Sequence, residues 1–225
     1  MDLGLKDKVV LITGASGGIG EATVREFSGE GAKVVIHYGR NKDAAERLQK
    51  ELTTESLVVG ADVSDEVSVA NLFARAVERF GHIDTVVANA GIFPPGDSPI
   101  HLMDAKRFDE VMATDLKGPW LTAREFFRVL DKTRPRSASL VLVSSTAAIF
   151  GEAGHSEYAA AKAGIMNMVL SLKNEIVKIV PEGRVNCVAP GWIWTAMTEQ
   201  FRSSKGAVVS ALQTRALRRI GRPED

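Results

Sequence analysis

Cysteine is nearly absent from the 225-residue chain, Cys187 being the only one. An intramolecular disulfide and any cysteine-rich metal site are thereby excluded. Cys187 sits in the apolar run Val185 to Ala189, where a buried structural thiol is the expectation. Net charge is absent too, with 28 Lys plus Arg against 28 Asp plus Glu. Nothing in that balance attracts nucleic acid or an anionic membrane, and little in it opposes self-association. Long hydrophobic runs are missing as well: the apolar stretches span roughly four to six residues, where a membrane span needs roughly 20. The opening residues carry Asp2, Lys6, Asp7 and Lys8 where a signal peptide would have an apolar core, so a cytoplasmic protein is expected. His37, His82, His101 and His155 are scattered without ligand-like spacing. No metal site is expected, and surface or packing roles are assigned to them.

What remains is an ordinary globular composition, 45% hydrophobic and 25% charged, able to bury a sizeable core. Short β-branched runs alternate with long amphipathic stretches. Strands are expected at Val9 to Thr13, Val34 to Tyr38, Leu57 to Val59, Asp84 to Ala88, Ser139 to Val143 and Arg184 to Val188. Between them, helices are expected to end near Phe27 and to span Lys42 to Leu52, Asp65 to Phe80, Asp104 to Leu130 and Ser156 to Val180. The strands are apolar throughout rather than alternating, as when helices cover both faces of a sheet. Repeated strand–helix units imply right-handed crossovers. The predicted architecture is one α/β domain over residues 1–225, a doubly wound parallel sheet of Rossmann type in three α/β/α layers. After Gly191 no strand is legible, and a flap or short helices are expected there.

The first strand runs into Thr13-Gly14-Ala15-Ser16-Gly17-Gly18-Ile19-Gly20. Glycines at a strand-to-helix turn let the backbone approach a pyrophosphate, and the helix that follows offers free N–H groups and its positive dipole end. Gly14, Gly18 and Gly20, with Ser16 and Ile19 between them, are therefore candidate cofactor contacts. The alternative is a turn required only for tight packing. Asp62 and Val63 end the third strand, where an Asp can accept from an adenine amino group; capping the next helix is its other reading. Asn89, Ala90 and Gly91 end the fourth strand with small side chains that leave room for a flat ligand. The fifth strand ends at Ser144-Ser145, and Tyr158 and Lys162 follow at i and i+4 of a helix, on one face. A phenol titrates near pH 10, and a neighbouring ammonium favours the phenolate, bringing Tyr158 toward useful acid–base chemistry. A lone Tyr-x-x-x-Lys is common on helices. Its weight here comes from the other strand-end motifs of the same sheet.

On Thr13-Gly14-x-x-x-Gly18-x-Gly20, Asp62, Asn89-Ala90-Gly91, Ser145, Tyr158-x-x-x-Lys162 and Pro190-Gly191, the chain resembles the short-chain dehydrogenase/reductase family over essentially its whole length. Its pattern is closest to 3-oxoacyl-(acyl-carrier-protein) reductases and to sugar or polyol dehydrogenases. The resemblance implies hydride exchange between a nicotinamide cofactor and a carbonyl or secondary alcohol. It makes Tyr158 the acid/base, has Ser145 steady the substrate oxygen, and has Lys162 lower the tyrosine pKa and bond the nicotinamide ribose. Ile193 and Thr195, after Pro190-Gly191, match positions that contact the nicotinamide carboxamide.

Two features depart from the family. Asp115 stands where the family has an Asn that helps hold a proton-relaying water; its charge is expected to hold Lys162 protonated while the relay survives in altered form. The chain also stops at Asp225, where the family pattern continues into another helix and a last, seventh strand. Lacking that strand, the sixth is expected to be a sheet edge; either the sequence is truncated there, or a partner chain or a rearranged segment covers that edge. The end of the second strand has no carboxylate before Asp43 but does have Arg40, which favours NADP, with NAD the alternative. The substrate pocket is expected between Ile92 to Ser98, Ala147 to His155 and the stretch bearing Trp192, Trp194, Met197 and Phe201. The substrate itself is left as a small carbonyl or alcohol, or a carrier-bound acyl group docking on Arg124, Arg128, Lys132, Arg134 and Arg136. The helices over Asp104 to Leu130 and Ser156 to Val180 are apolar on more than one face, so a homodimer or homotetramer is expected. A non-catalytic nucleotide-binding homologue is the competing class.

Overall fold

The computed structural model describes residues 3–199, 206, 208, 209, 212 and 217–225. Six strands form one parallel sheet: β1 (Val9–Ile12), β2 (Lys33–Tyr38), β3 (Ser56–Gly60), β4 (Thr85–Ala88), β5 (Ser137–Val143) and β6 (Glu182–Val188), in the order β3-β2-β1-β4-β5-β6. Register is continuous across the centre, with Ile12 opposite both Ile36 and Val87, and Val87 opposite Val141. The chain moves outward from β1 through β2 to β3, then crosses to β4 on the other side of β1. This reversal opens a crevice beyond the carboxyl ends of β1 and β4, where open α/β sheets bind ligands.

Seven α-helices with bounds among the described residues cover the sheet: α1 (Gly18–Gly29), α2 (Lys42–Glu51), α3 (Glu66–Phe80), α4 (Ala105–Met112), α5 (Gly118–Thr133), α6 (Ala147–Phe150) and α7 (Ser156–Ile176). Alternate strand residues serve opposite faces. Val9, Leu11, Val35, Val86, Leu140 and Leu142 pack with Phe73 of α3, Phe126 of α5 and Ile165 of α7. Val10, Ile12, Val34, Ile36 and Val87 pack with Val24 of α1 and with Ala45 and Leu48 of α2. The three-layer expectation is met.

The differences are local. The single helix expected over Asp104 to Leu130 is α4 and α5 joined by a π-helical turn, Ala113–Lys117. Pro119 lies in the first turn of α5 and has no N–H to return to the Asp115 carbonyl four residues earlier, which favours a widened ladder at that point. The short helix α6 had no periodicity to announce it. Helix α7 stops at Ile176 rather than Val180, because tight turns bonding Lys178 to Glu175 and Ile179 to Ile176 follow. Strand β6 lies at the sheet edge, as expected, and Cys187 on it is only half-buried rather than a core thiol.

Candidate active site

The glycine turn is held in place before any ligand contact is considered. The buried Thr13 Oγ1 accepts from the Asn89 and Ala90 amides at 3.0 Å each. Asn89 Nδ2 donates to the carbonyls of Thr13 (3.0 Å) and Gly14 (3.2 Å). On the other flank, His37 Nδ1 accepts from the Gly14 amide at 3.0 Å, and the ring's Nε2–H donates to the Ala61 carbonyl at 3.0 Å. Since a backbone N–H can only donate, Nδ1 must be the acceptor and the imidazole neutral. Burial holds its pKa below the usual histidine value. Gly20 is required by close approach: a Cβ there would lie 2.2 Å from the Gly14 carbonyl oxygen. The N-cap of α1 is Gly17, with no side-chain cap, so the first-turn amides receive no side-chain oxygen. An uncapped N-terminus beside glycines is suited to a pyrophosphate.

A cavity of about 350 Å³ lies against this turn, lined by Gly14, Ser16, Gly18 and Ile19 on one side and by Asn89, Ala90 and Gly91 at the end of β4. Ser145, Tyr158, Lys162 and Asp115 line its far side, and Pro190, Gly191, Ile193 and Thr195 form its roof. The roof presses on the turn, since a Cβ at Gly18 would come within 2.6 Å of Thr195 Cγ2. Thr198 Oγ stabilises the roof by donating to the Ile193 carbonyl at 2.7 Å. The structure thus brings together residues scattered from 14 to 195. It leaves some candidates outside the cavity. Gly20 acts behind the turn. Val63 is buried, and a Cβ at Gly118 would come within 3.0 Å of its Cγ2. Asp62 Oδ1 is committed to the amide and hydroxyl of Ser64, at 2.9 and 2.7 Å, and these bonds hold its carboxyl below the usual range. The helix cap considered for Asp62 belongs instead to Asp65, which accepts from the Ser68 amide. Arg40 is exposed past the end of β2, close enough to Asp62 to favour its ionised form.

At the other end of the cavity, Ser145 follows β5, and its Oγ accepts from the Ala147 amide at 3.1 Å. This leaves its O–H to donate elsewhere. Tyr158 and Lys162 share one face of α7, with Nζ 5.6 Å from the phenol ring centre. Lys162 Nζ also donates to the Val143 carbonyl at 3.3 Å and lies 3.3 Å from Asp115 Oδ2. Asp115 is fully buried on the π-helical turn, and its Oδ1 accepts from the Ile92 amide at 2.8 Å. Burial pushes the Asp115 carboxyl up, against the pull of the ammonium. The Tyr158 phenol is also pushed up by burial, which outweighs the lowering by Lys162 and by its hydrogen bond with Ser145; Asp115 and Glu152 add to the rise. Lys162 therefore acts in the expected direction, while the net shift in the protein alone is the opposite one.

Ile92, Phe93, Ala147, Glu152, Trp192 and Met197 complete the cavity wall. Trp194 is not part of it, and Phe201 lies outside the described residues. The expected docking arginines are placed elsewhere. Lys132, Arg134 and Arg136 stand at the end of α5 just before β5 begins, so about 20 Å of strand separates them from Ser145. Carboxylates already engage the arginines: Arg124 with Glu66, Arg128 with Glu125, Arg134 with Asp131 and Arg136 with Glu182. No metal-binding cluster occurs among the described residues. Sequence reasoning missed His37 as a latch of the glycine turn, because a histidine within an apolar strand gives no sign of what it faces.

Known proteins resemble this arrangement. The chain is 36% identical to cis-4-hydroxycyclohexanecarboxylate dehydrogenase of Sinomonas cyclohexanicum over 221 residues, 97% of this chain and 86% of that protein. It is also 36% identical to the 3-oxoacyl-(acyl-carrier-protein) reductase of Thermotoga maritima over 226 residues, 98% and 87% of the two chains. The crystal structure of levodione reductase superposes with a TM-score of 0.85 at 31% identity, covering 97% of this chain and 87% of that one. Residues 8–206 match the short chain dehydrogenase family, and the chain belongs to it.

Proposed function

We propose that this protein reduces small ketones, and in reverse oxidises secondary alcohols, with NADP(H) as cofactor and Tyr158 as the proton-transfer group. The reading rests on the convergence of Ser145, Tyr158 and Lys162 on one cavity with the glycine turn. A bound dihydronicotinamide supplies a hydride to the carbonyl carbon. Ser145 O–H donates to the carbonyl oxygen and holds it beside the phenol, and Tyr158 gives that oxygen its proton. In the protein alone the phenol is protonated, the form that donates in reduction, and oxidation is the reverse. Lys162 balances the phenolate left behind, and Asp115 steadies the ammonium from the π-helical turn at 3.3 Å. Pro190, Gly191, Ile193 and Thr195 would lie over the nicotinamide, and Asp62 beside the adenine.

NADP is preferred to NAD because the end of β2 offers exposed Arg40 and no carboxylate to bond a 2′-hydroxyl. Free ketones are preferred to carrier-bound acyl groups because the arginines are paired with carboxylates and Lys132, Arg134 and Arg136 stand at the far end of β5. The 36% identity to a 3-oxoacyl reductase keeps 3-oxoacyl thioesters as the second substrate class. A cytoplasmic homodimer completes the reading. No described helix is long and apolar enough to cross a membrane, and α5 and α7 leave Trp120 and Leu170 about half exposed. An intact Ser–Tyr–Lys set argues against a non-catalytic role. The test is a ketone panel assayed with NADPH and NADH. Activity that is lost in Tyr158→Phe while NADPH still binds is the expected result; wild-type inactivity with retained NADPH binding would favour a regulatory nucleotide binder.

A further inference from the structure

A charged cluster that the proposed chemistry does not use lies behind the substrate wall. Arg107 on α4 reaches three other segments at once. Its Nε–H donates to Glu157 Oε1 at 2.7 Å, in the first turn of α7. One terminal nitrogen donates to the Gly96 carbonyl at 2.8 Å, in the loop after β4. The other donates to the Gly154 carbonyl at 3.1 Å and to His155 Nδ1 at 2.9 Å, in the loop between α6 and α7. The Glu157 side chain has no solvent exposure and His155 is buried. The two loops also touch directly, as the Ser98 amide donates to the Gly154 carbonyl at 3.0 Å. Gly154 has φ +78°, and a Cβ there would meet Asp97 Cβ at 2.7 Å, so the crossing accepts only glycine.

This cluster leads to the reacting phenol. Because Arg107 can only donate, His155 Nδ1 accepts and the imidazole is neutral, with Nε2–H turned toward Asp97, whose Oδ1 is 3.3 Å away. The imidazole stacks on Phe93 with ring centres 4.1 Å apart, and Phe93 meets Tyr158 edge-on at 5.0 Å. Phe93 lines the cavity, and the His155 amide bonds the carbonyl of Glu152, which lines it too. A planar guanidinium with several donors in fixed directions can span these acceptors; a lysine ammonium cannot.

We propose that Arg107 and Glu157 form a positioning clasp for substrate binding. They fix the separation of the two loops that wall the substrate half of the cleft and hold Phe93 against Tyr158, so the pocket has its shape before substrate arrives. The clasp rests on the carbonyl-reductase reading of the cavity. It touches neither cofactor nor reacting atoms, and it acts through His155 and Phe93.

The test compares the wild type with Arg107→Lys and with the double variant Arg107→Met/Glu157→Met. The double variant removes the clasp without stranding a buried charge, so it keeps the stability that Arg107→Met alone loses. Cyclohexanone reduction by NADPH is assayed alongside hydrogen exchange by mass spectrometry. In the double variant, amides 96–98 and 152–155 should exchange at least tenfold faster. KM for cyclohexanone should rise at least tenfold, while kcat changes less than threefold and the NADPH Kd less than twofold. Arg107→Lys should reproduce the KM rise although the charge is kept. Unchanged exchange at 96–98 overturns the clasp whatever the activity. Faster exchange with unchanged KM overturns its role in substrate binding, leaving a stabilising cluster only. Should the wild type reduce no ketone, the reading of the cavity fails instead, and the exchange data still decide whether the clasp holds the loops.

Discussion

The glycine turn and the proposed substrate wall lie on opposite sides of Ser145, Tyr158 and Lys162, and they are fastened by different chemistry. The turn is stitched by neutral, short-range bonds: Thr13 to Asn89 and Ala90, Asn89 back to Thr13 and Gly14, and His37 to Gly14. The wall is fastened by a nearly buried ion pair, Arg107 with Glu157, supported by two loop carbonyls and a histidine. Neutral bonds each contribute modestly and fail one at a time. A buried ion pair fails all at once, because removing one partner strands the other's charge. The turn therefore tolerates partial damage in a way the wall does not. A phosphate group also needs backbone amides and space, whereas a substrate needs side-chain walls held at a definite width.

The largest expected effect belongs to neither wall and sets the scale for both. Tyr158→Phe should lower kcat by about 10³-fold with the NADPH Kd unchanged, as judged by steady-state rates and fluorescence titration. On the charged side, Arg107→Met alone should lower unfolding stability by about 3 kcal/mol in urea, since Glu157 is left buried and unpaired. On the neutral side, Asn89→Ala should cost only about 1–2 kcal/mol in the same measurement while weakening NADPH binding. A larger loss from Asn89→Ala than from Arg107→Met would reverse the comparison. Past the end of β2, Arg40→Ala should reduce kcat/KM for NADPH about tenfold and leave NADH nearly unaffected, by loss of one charge-assisted contact. A preference for NADH in the wild type would refute that assignment.

The smallest effect is one the two sides share. His37 and His155 both have pKa values lowered in the fold, chiefly by burial; the Ala61 carbonyl and then Asp62 oppose this at His37, while at His155 Arg107 reinforces it and Glu157 and Asp97 oppose it. The unfolded chain then binds more protons than the folded one below about pH 6.5, so stability should fall as pH drops through that value and be flat above it. The loss is at most about 1.4 kcal/mol per histidine per pH unit, measurable as a shift in urea midpoint between pH 7.5 and 5. The Asp115 and Glu152 carboxyls, raised by burial, work in the opposite sense, so the fall is read in Asp115→Asn/Glu152→Gln, where a midpoint that rises on acidification would contradict the neutral tautomers assigned to both rings.

Much of this site was legible because its parts sit at strand ends. Gly14, Gly18, Asn89, Gly91, Ser145 and the Tyr158–Lys162 pair each follow or belong to an element whose period could be read, and parallel strands deliver all their carboxyl ends to one edge. The π-helical turn at Asp115 was not legible, since its cause, Pro119, also suits the first turn of a helix. Nor could the sequence tell that burial would dominate the Tyr158 pKa, because an i,i+4 lysine announces a charge but not how much water is excluded around it.

The sequence by itself determined the alternation of apolar strands and amphipathic helices, the glycine turn and the spacing that puts Tyr158 and Lys162 on one face, because these are consequences of local geometry and period. Only the tertiary structure decided that His37 latches the turn, that Arg107 joins Glu157 of α7 and the loop before it, and that Arg124 and Arg136 are paired with Glu66 and Glu182. Those partners are about 20 to 60 residues apart in the chain, and nothing in a local pattern records which side chains the winding of a sheet will bring within hydrogen-bonding distance.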